Sequence, residues 1–285
     1  MHEHGWPPGP GTGTAGTPAG SGPAAPGGLK AVRHVWVIEL ENQGYAQSFG
    51  TPSADPYLAR TLPRMGALLE NYYAIGHSSA ANYVAQVSGQ APDLRTQADC
   101  SLWIPFPGHV VAGPYHQILG EGCVYPAAVP TLGNQLSACT HPAAWSADRT
   151  RHAERGDQYA ARHDGFAFFQ SVTANPAFCA AHILCSFLLA PNLRNGGHDA
   201  PCADGAPGGL AQADRFLALW VPVIIATPAY RDGELIVTTF DEGSGTAACC
   251  GETSALGPSH PSVPLPCPLE CWPARMTCGR QQGNT

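Results

Sequence analysis

Two short runs constrain this chain more than anything else in it: Val32-Arg-His-Val-Trp-Val-Ile-Glu-Leu40 and Glu234-Leu-Ile-Val-Thr-Thr-Phe240. Each is apolar and β-branched, and each is bounded by turn-forming residues, which predicts buried strands. The first suits a central, parallel position with both faces covered. Both end in acidic residues. The first runs into Glu41-Asn42-Gln43-Gly44 and the second into Asp241-Glu242-Gly243. In open α/β sheets, ligands bind outside the carboxyl ends of the strands. Hard oxygen ligands gathered at that edge suit a divalent metal. The same residues also form good turns. Either pair alone reads as a turn, whereas the two together balance a metal site against that simpler account.

The segments between the runs alternate with them. Leu58, Leu62, Met65 and Leu69 stand at helical spacing across residues 56–70, with Pro63 disturbing the pattern. Asn71-Tyr-Tyr-Ala-Ile75 is a further strand candidate, and residues 80–88 begin a helix. Residues 91–130 are rich in Pro and Gly and read as an irregular excursion over the sheet. A helix-like pattern resumes at 131–139. An amphipathic helix is expected from Gly208 to Trp220, with Leu210, Phe216, Leu217 and Trp220 as its apolar members. Such alternation implies a layered α/β domain. With 285 residues and no linker in the middle, one large domain is expected over 30–250. A Gly/Pro/Ala-rich disordered leader at 1–29 and an irregular Pro/Cys-rich tail at 251–285 flank it.

Charge narrows the partners. Lys+Arg total 14 against Asp+Glu 21, and Lys30 is the only lysine, so a nucleic acid is not an expected partner. No run of about 20 apolar residues predicts a membrane span. Eleven cysteines suit an oxidising compartment, and they do not form a zinc signature. Cys100 and Cys123 flank a Pro/Gly-rich loop, which suits a disulfide. Cys249 and Cys250 are adjacent, and the odd total leaves at least one thiol unpaired. Residues 1–29 hold no apolar segment of the kind an intact signal peptide needs.

Gly76-His77-Ser78-Ser79 joins a predicted strand end to a predicted helix start, with Asn82 following. A hydroxyl there sits where backbone N–H groups favour an anion, and a neighbouring metal would make it a nucleophile. Ser79 reads equally as an ordinary helix cap. Of 12 histidines, His163 and His198 stand beside acidic residues, Asp164 and Asp199, which would orient an imidazole. Loop histidines beside Asp are also commonly structural.

The segments HVWVIELENQGYAQSFG, NYYAIGHSSAANYVAQVSG, YAARHDGFAFF, APNLRNGGHDAPC and LIVTTFDEG occur in that order over residues 32–243. In them the chain resembles the bacterial phosphoesterase family of acid phosphatases and phospholipases C, related to the alkaline-phosphatase superfamily. The resemblance implies a three-layer α/β/α sandwich around a mostly parallel sheet, incomplete at its C-terminus. It also implies a secreted or cell-envelope hydrolase of phosphate esters, small or lipid-borne. Glu41, Asn42, Asp241 and Glu242 would hold a divalent metal: Ca, Mg, Mn or Zn. Ser79 would be the nucleophile, Asn82 and Asp199 would meet the substrate, and His163 and His198 would assist catalysis. The chain departs from the family at Ser78-Ser79-Ala80-Ala81, at Arg194 and Gly196, and throughout 256–285. Beside an acid phosphatase, the resemblance allows a phospholipase C-like diesterase or a superfamily member acting on sulfate or phosphonate esters, and the departures add an exported binding or structural protein with impaired catalysis.

Overall fold

The computed structural model describes residues 32–50, 54–70, 72–107, 117–135, 160–174 and 188–243. The leader and tail, His152, Cys179, Cys249, Cys250 and His260 lie outside them, as do parts of the 91–130 and 131–139 segments.

Among the described residues, three parallel strands and the helices around them make an α/β arrangement. The strands are β1 (His34–Leu40), β2 (Leu188–Leu189) and β3 (Glu234–Phe240), in the order β2-β1-β3. The first run is therefore central and parallel, as its apolar character predicts. β1 and β3 pair without a bulge, from His34 opposite Glu234 to Leu40 opposite Phe240. Both end level with each other.

The helices are α1 (Tyr45–Phe49), α2 (Leu62–Met65, preceded by a π-turn at Tyr57–Thr61), α3 (Ser79–Ser88), α4 (Leu132–Gln135), α5 (Gln170–Thr173), α6 (Gly209–Ile225) and α7 (Pro228–Arg231). α6 matches the expected amphipathic helix and outruns it by five residues, with Pro222 inside its last turn. Leu217 is buried, while Leu210 and Phe216 pack against the same cluster.

Two expectations are corrected. The 56–70 helix is broken and stops at Gly66, leaving Met65 and Leu69 exposed. The strand expected at 71–75 does not form over 72–75. Tyr72 and Ile75 are exposed there, and the Ile75 N–H is taken by the Asn82 side chain instead of a neighbouring strand. Asn71 itself lies outside the described residues.

Apolar side chains gather in two separate clusters. One joins Ile38, Leu40 and Phe240 of the sheet to Leu58 and to Ala213, Leu217, Val221 and Ile224 of α6. The other joins Ala80, Val84 and Val87 of α3 to Phe106, Tyr125, Val129, Phe166, Phe168, Phe169 and Val172. The Cys100–Cys123 disulfide belongs to this second cluster, with its Cα atoms 5.7 Å apart. The irregular excursion thus builds a core of its own against α3. Its disulfide is consistent with an oxidising compartment. Among the described residues no helix is long and apolar enough to cross a membrane.

Candidate metal centre

The level ends of β1 and β3 put their next residues at the same height. Side chains alternate across a strand, so Ile38 and Leu40 face α6, and Glu39 and Glu41 face the other way. Paired strands lie about 5 Å apart, so in-register pairing delivers Glu41 and Asp241 side by side on one face. Backbone bonds secure the junction. The Asp241 N–H donates to the Leu40 carbonyl at 2.9 Å, and the Glu41 N–H donates to the Gly196 carbonyl at 2.9 Å. Asn42 (φ 54°) turns the chain sharply, and its N–H donates to Asp241 Oδ1 at 3.1 Å. The Glu242 N–H donates to the same oxygen at 2.7 Å. Gly196 has a steric reason here, because a Cβ on it would lie 3.1 Å from Glu41 Cγ.

α3 supplies the opposing wall. Ala80, Val84 and Val87 point into the second apolar cluster, leaving Ser79, Tyr83 and Gln86 on the face toward the carboxylates. Gln86 Nε2 donates to Glu39 Oε2, and the Tyr83 hydroxyl donates to Glu41 Oε1 at 2.5 Å. Ser79 Oγ lies 3.5 Å from Glu41 Oε2. Ser79 is not the helix cap. That position belongs to Ser78, whose hydroxyl donates to the Gln97 carbonyl at 2.6 Å.

His163 arrives from a 3₁₀ turn, Ala161–His163, laid across α3. The following Gly165 permits that close approach, since a Cβ there would meet the Tyr83 carbonyl oxygen at 2.6 Å. The imidazole stacks on Tyr83, with ring centroids 5.2 Å apart, and its Nδ1 lies 3.3 Å from Glu41 Oε1. Glu41, His163 and Asp241 are all buried, and each offers a ligand atom within 4.8 Å of the others.

The electrostatics favour a cation. Burial raises the Glu41 carboxyl well above its usual range, and the adjacent Asp241 adds to the shift. Burial raises Asp241 as well. Glu39 is pushed up to about 8, mainly by burial, and Glu242 to about 9, by burial and then by Asp241. Burial, then the neighbouring Arg162 charge, holds His163 well below its ordinary value, so its imidazole is neutral and able to ligate. Four buried carboxyls crowded at one sheet edge are costly without positive charge. Asp241 Oδ2 and His163 Nε2 are buried and accept or donate no hydrogen bond. A divalent ion fits this donor set of two carboxylates and an imidazole.

The structure brings together some of the residues expected at the site. Glu41, Asp241 and Ser79 meet as expected, and His163 joins the prospective ligands. Glu242 turns toward Asn82, its Oε2 lying 3.5 Å from Asn82 Nδ2. The Asn82 carboxamide is occupied by the preceding turn: it accepts from the Ile75 and Gly76 N–H groups and donates to the Gly76 and Ser78 carbonyls. Its place is to shape the bend that presents Ser79. His198 Nδ1 lies 2.8 Å from Asp199 Oδ1, so Asp199 orients an imidazole. Sequence reasoning missed Tyr83 and Glu39. The helical spacing of Ser79, Tyr83 and Gln86 was the signal for the first, and strand alternation with Glu41 for the second.

No protein-family model, curated protein or solved structure matches this chain.

Proposed function

We propose that the chain is a metal-dependent hydrolase of phosphate esters, exported or held at the cell envelope, with Ser79 as nucleophile. The observation that carries the reading is the convergence of Glu41, His163 and Asp241 within 4.8 Å, with the buried Ser79 hydroxyl 3.5 Å from Glu41. α6 on one face of the sheet and α3 on the other support a three-layer α/β/α arrangement.

Glu41, His163 and Asp241 would hold the ion. Bound there, it supplies positive charge that favours an ionised serine oxygen and offsets the charge of the ester. The protein's own groups do the rest. Tyr83 and Gln86 orient Glu41 and Glu39, and the Asn82-braced turn aims Ser79. The Ser79 proton passes to Glu41 Oε2 as Oγ attacks phosphorus. The Oγ–P bond forms, the bond from phosphorus to the leaving oxygen breaks, and that oxygen takes a proton from solvent. Water then attacks the phosphoserine, releasing phosphate and returning a proton to Ser79, while Glu41 gives up to solvent the proton it took. The Asp199–His198 pair lines the approach.

The test is hydrolysis of p-nitrophenyl phosphate with and without a chelator, in wild type and Ser79→Ala. Chelation should abolish turnover, and Ser79→Ala should lower it by at least about a thousandfold. Activity that survives both treatments would overturn the reading.

A further inference from the structure

The carboxylate-lined site has one open side, and its charges are unlike those of the interior. Asp99, Arg162, His198 and Asp199 keep 41%, 14%, 28% and 19% of their side-chain surface exposed, whereas Glu41 and His163 are closed off. The Arg162 guanidinium belongs to this side, because the His198 ring it meets lies 5.9 Å from that of His163. That guanidinium is 2.9 Å from His198 Nε2. Because a guanidinium only donates, this nitrogen accepts, and His198 Nδ1–H is left to donate to Asp199. Arg162 is thereby held in place by a His–Asp pair, with its Nε 3.9 Å from Asp99 Oδ2.

Asp99 stands where a substrate oxygen would be welcome. Its Oδ1 accepts the Ala80 N–H at 3.0 Å, one residue beyond Ser79 at the start of α3. Its other oxygen faces Arg162. Backbone amide and guanidinium are the donors that a phosphoryl group seeks. Here an internal carboxylate occupies the amide and stands at ion-pair distance, 3.9 Å, from the guanidinium. Asp99 and Cys100 hold φ values of 53° and 51°, in the left-handed region. Such angles are uncommon for residues other than glycine and persist where the surroundings demand them. The Cys100 disulfide and the Asp99 N–H bond to the Thr96 carbonyl at 3.1 Å secure this turn.

Resting on the phosphoesterase reading, we infer that Arg162 and the Ala80 N–H form the clamp for phosphoryl oxygens, and that Asp99 is an internal anion the substrate displaces. The site is then self-inhibited by one carboxylate. Phosphate must compete with it for the clamp, and the exposed side chain has room to leave.

Asp99→Asn is a clean probe, because asparagine also caps helices and also tolerates the left-handed region. It removes the charge and keeps the turn. The measurement is calorimetric titration with inorganic phosphate, in the presence of whichever of Ca, Mg, Mn or Zn most raises the thermal midpoint. Asp99→Asn should bind phosphate about tenfold more tightly than wild type, the scale of one partly screened charge. Arg162→Gln should bind it at least about tenfold more weakly. Arg162→Lys, keeping charge without the fork, should fall between wild type and Arg162→Gln. A wild type that hydrolyses p-nitrophenyl phosphate but whose phosphate affinity ignores Asp99→Asn and Arg162→Gln overturns this inference alone. A wild type that neither hydrolyses the ester nor binds phosphate overturns the inference and the phosphoesterase reading together.

Discussion

The two walls of the site are built by different means. The sheet wall is regular: β1 and β3 pair in register, and Glu41 and Asp241 are simply the next residues after the ladder ends. The opposite wall comes from α3 and from irregular segments that a disulfide ties together and an aromatic cluster packs against it. The sheet wall contributes the negative charge, and the α3 wall contributes the hydroxyls of Ser79 and Tyr83 and the imidazole of His163. Strand register places carboxylates together whether or not they repel. What makes the crowding tolerable is a second wall that donates hydrogen bonds and, with a cation bound, completes a charge-balanced centre. The two walls therefore trade stability against function, and variants on each should show it with opposite signs.

After Ser79→Ala, Glu41→Gln carries the largest expected effect. It should cost about a hundredfold or more in ester hydrolysis, because a prospective ligand is lost. It should also abolish the rise in thermal midpoint on adding metal. In chelator the same variant should melt higher than wild type near neutral pH, since a buried acid whose ionised form the fold opposes is gone. A Glu41→Gln protein that melts lower in chelator, with activity intact, would break the comparison. The pH dependence sharpens it. Folding raises Glu39 from 4.5 to about 8 and Glu242 from 4.5 to about 9. The native chain thus binds these protons more tightly than the unfolded chain. Their stabilisation is complete below about pH 4.5, declines as pH rises, and is gone above about pH 9. Thermal midpoints in chelator should fall across that window, and saturating metal should flatten the slope. A midpoint that rises across the window in chelator would refute the charge-crowding account.

The disulfide tests the other wall. Closing the 23-residue separation between Cys100 and Cys123 contributes about 3 kcal/mol through the loop-closure entropy of the unfolded chain. Replacing both cysteines with serine should lower the thermal midpoint accordingly, while the sheet wall keeps its register. Activity should fall less than in Glu41→Gln. Urea melts followed by far-UV circular dichroism, beside hydrolysis rates, would check both.

The walls also differ in how far the sequence disclosed them. The sheet wall was legible because a β-branched run has few other destinations, although the acidic pairs at the two strand ends read as turns as readily as ligands. The Cys100–Cys123 pairing was legible too. The strand expected at 71–75 failed because its apolar pattern, read locally, could not register that Asn82 takes the Ile75 N–H. Nor could spacing foretell that the 91–130 excursion builds a core on α3, since Phe106, Tyr125 and Phe169 meet only through tertiary packing. Asn82 and Ser79 were found as residues, yet their roles depend on which backbone groups lie within reach, and no periodicity carries that.

Tyr83 is where the walls touch, and it gives the smallest and most specific prediction. Its hydroxyl donates to Glu41 Oε1, and its ring stacks on His163 at an interplanar angle of 10°. One side chain thus orients two prospective ligands through different forces. Tyr83→Phe keeps the stack and the packing and deletes only the donor. Metal affinity, read as the concentration that half-restores the thermal midpoint after chelation, should weaken about tenfold, the low end for a group that steadies a ligand. Hydrolysis at saturating metal should drop by less, because Ser79 and the ligands themselves remain. Tyr83→Leu removes the stack as well and should weaken metal binding further. If the phenylalanine and leucine variants bind metal alike and as tightly as wild type, α3 only covers the carboxylates and does not organise them.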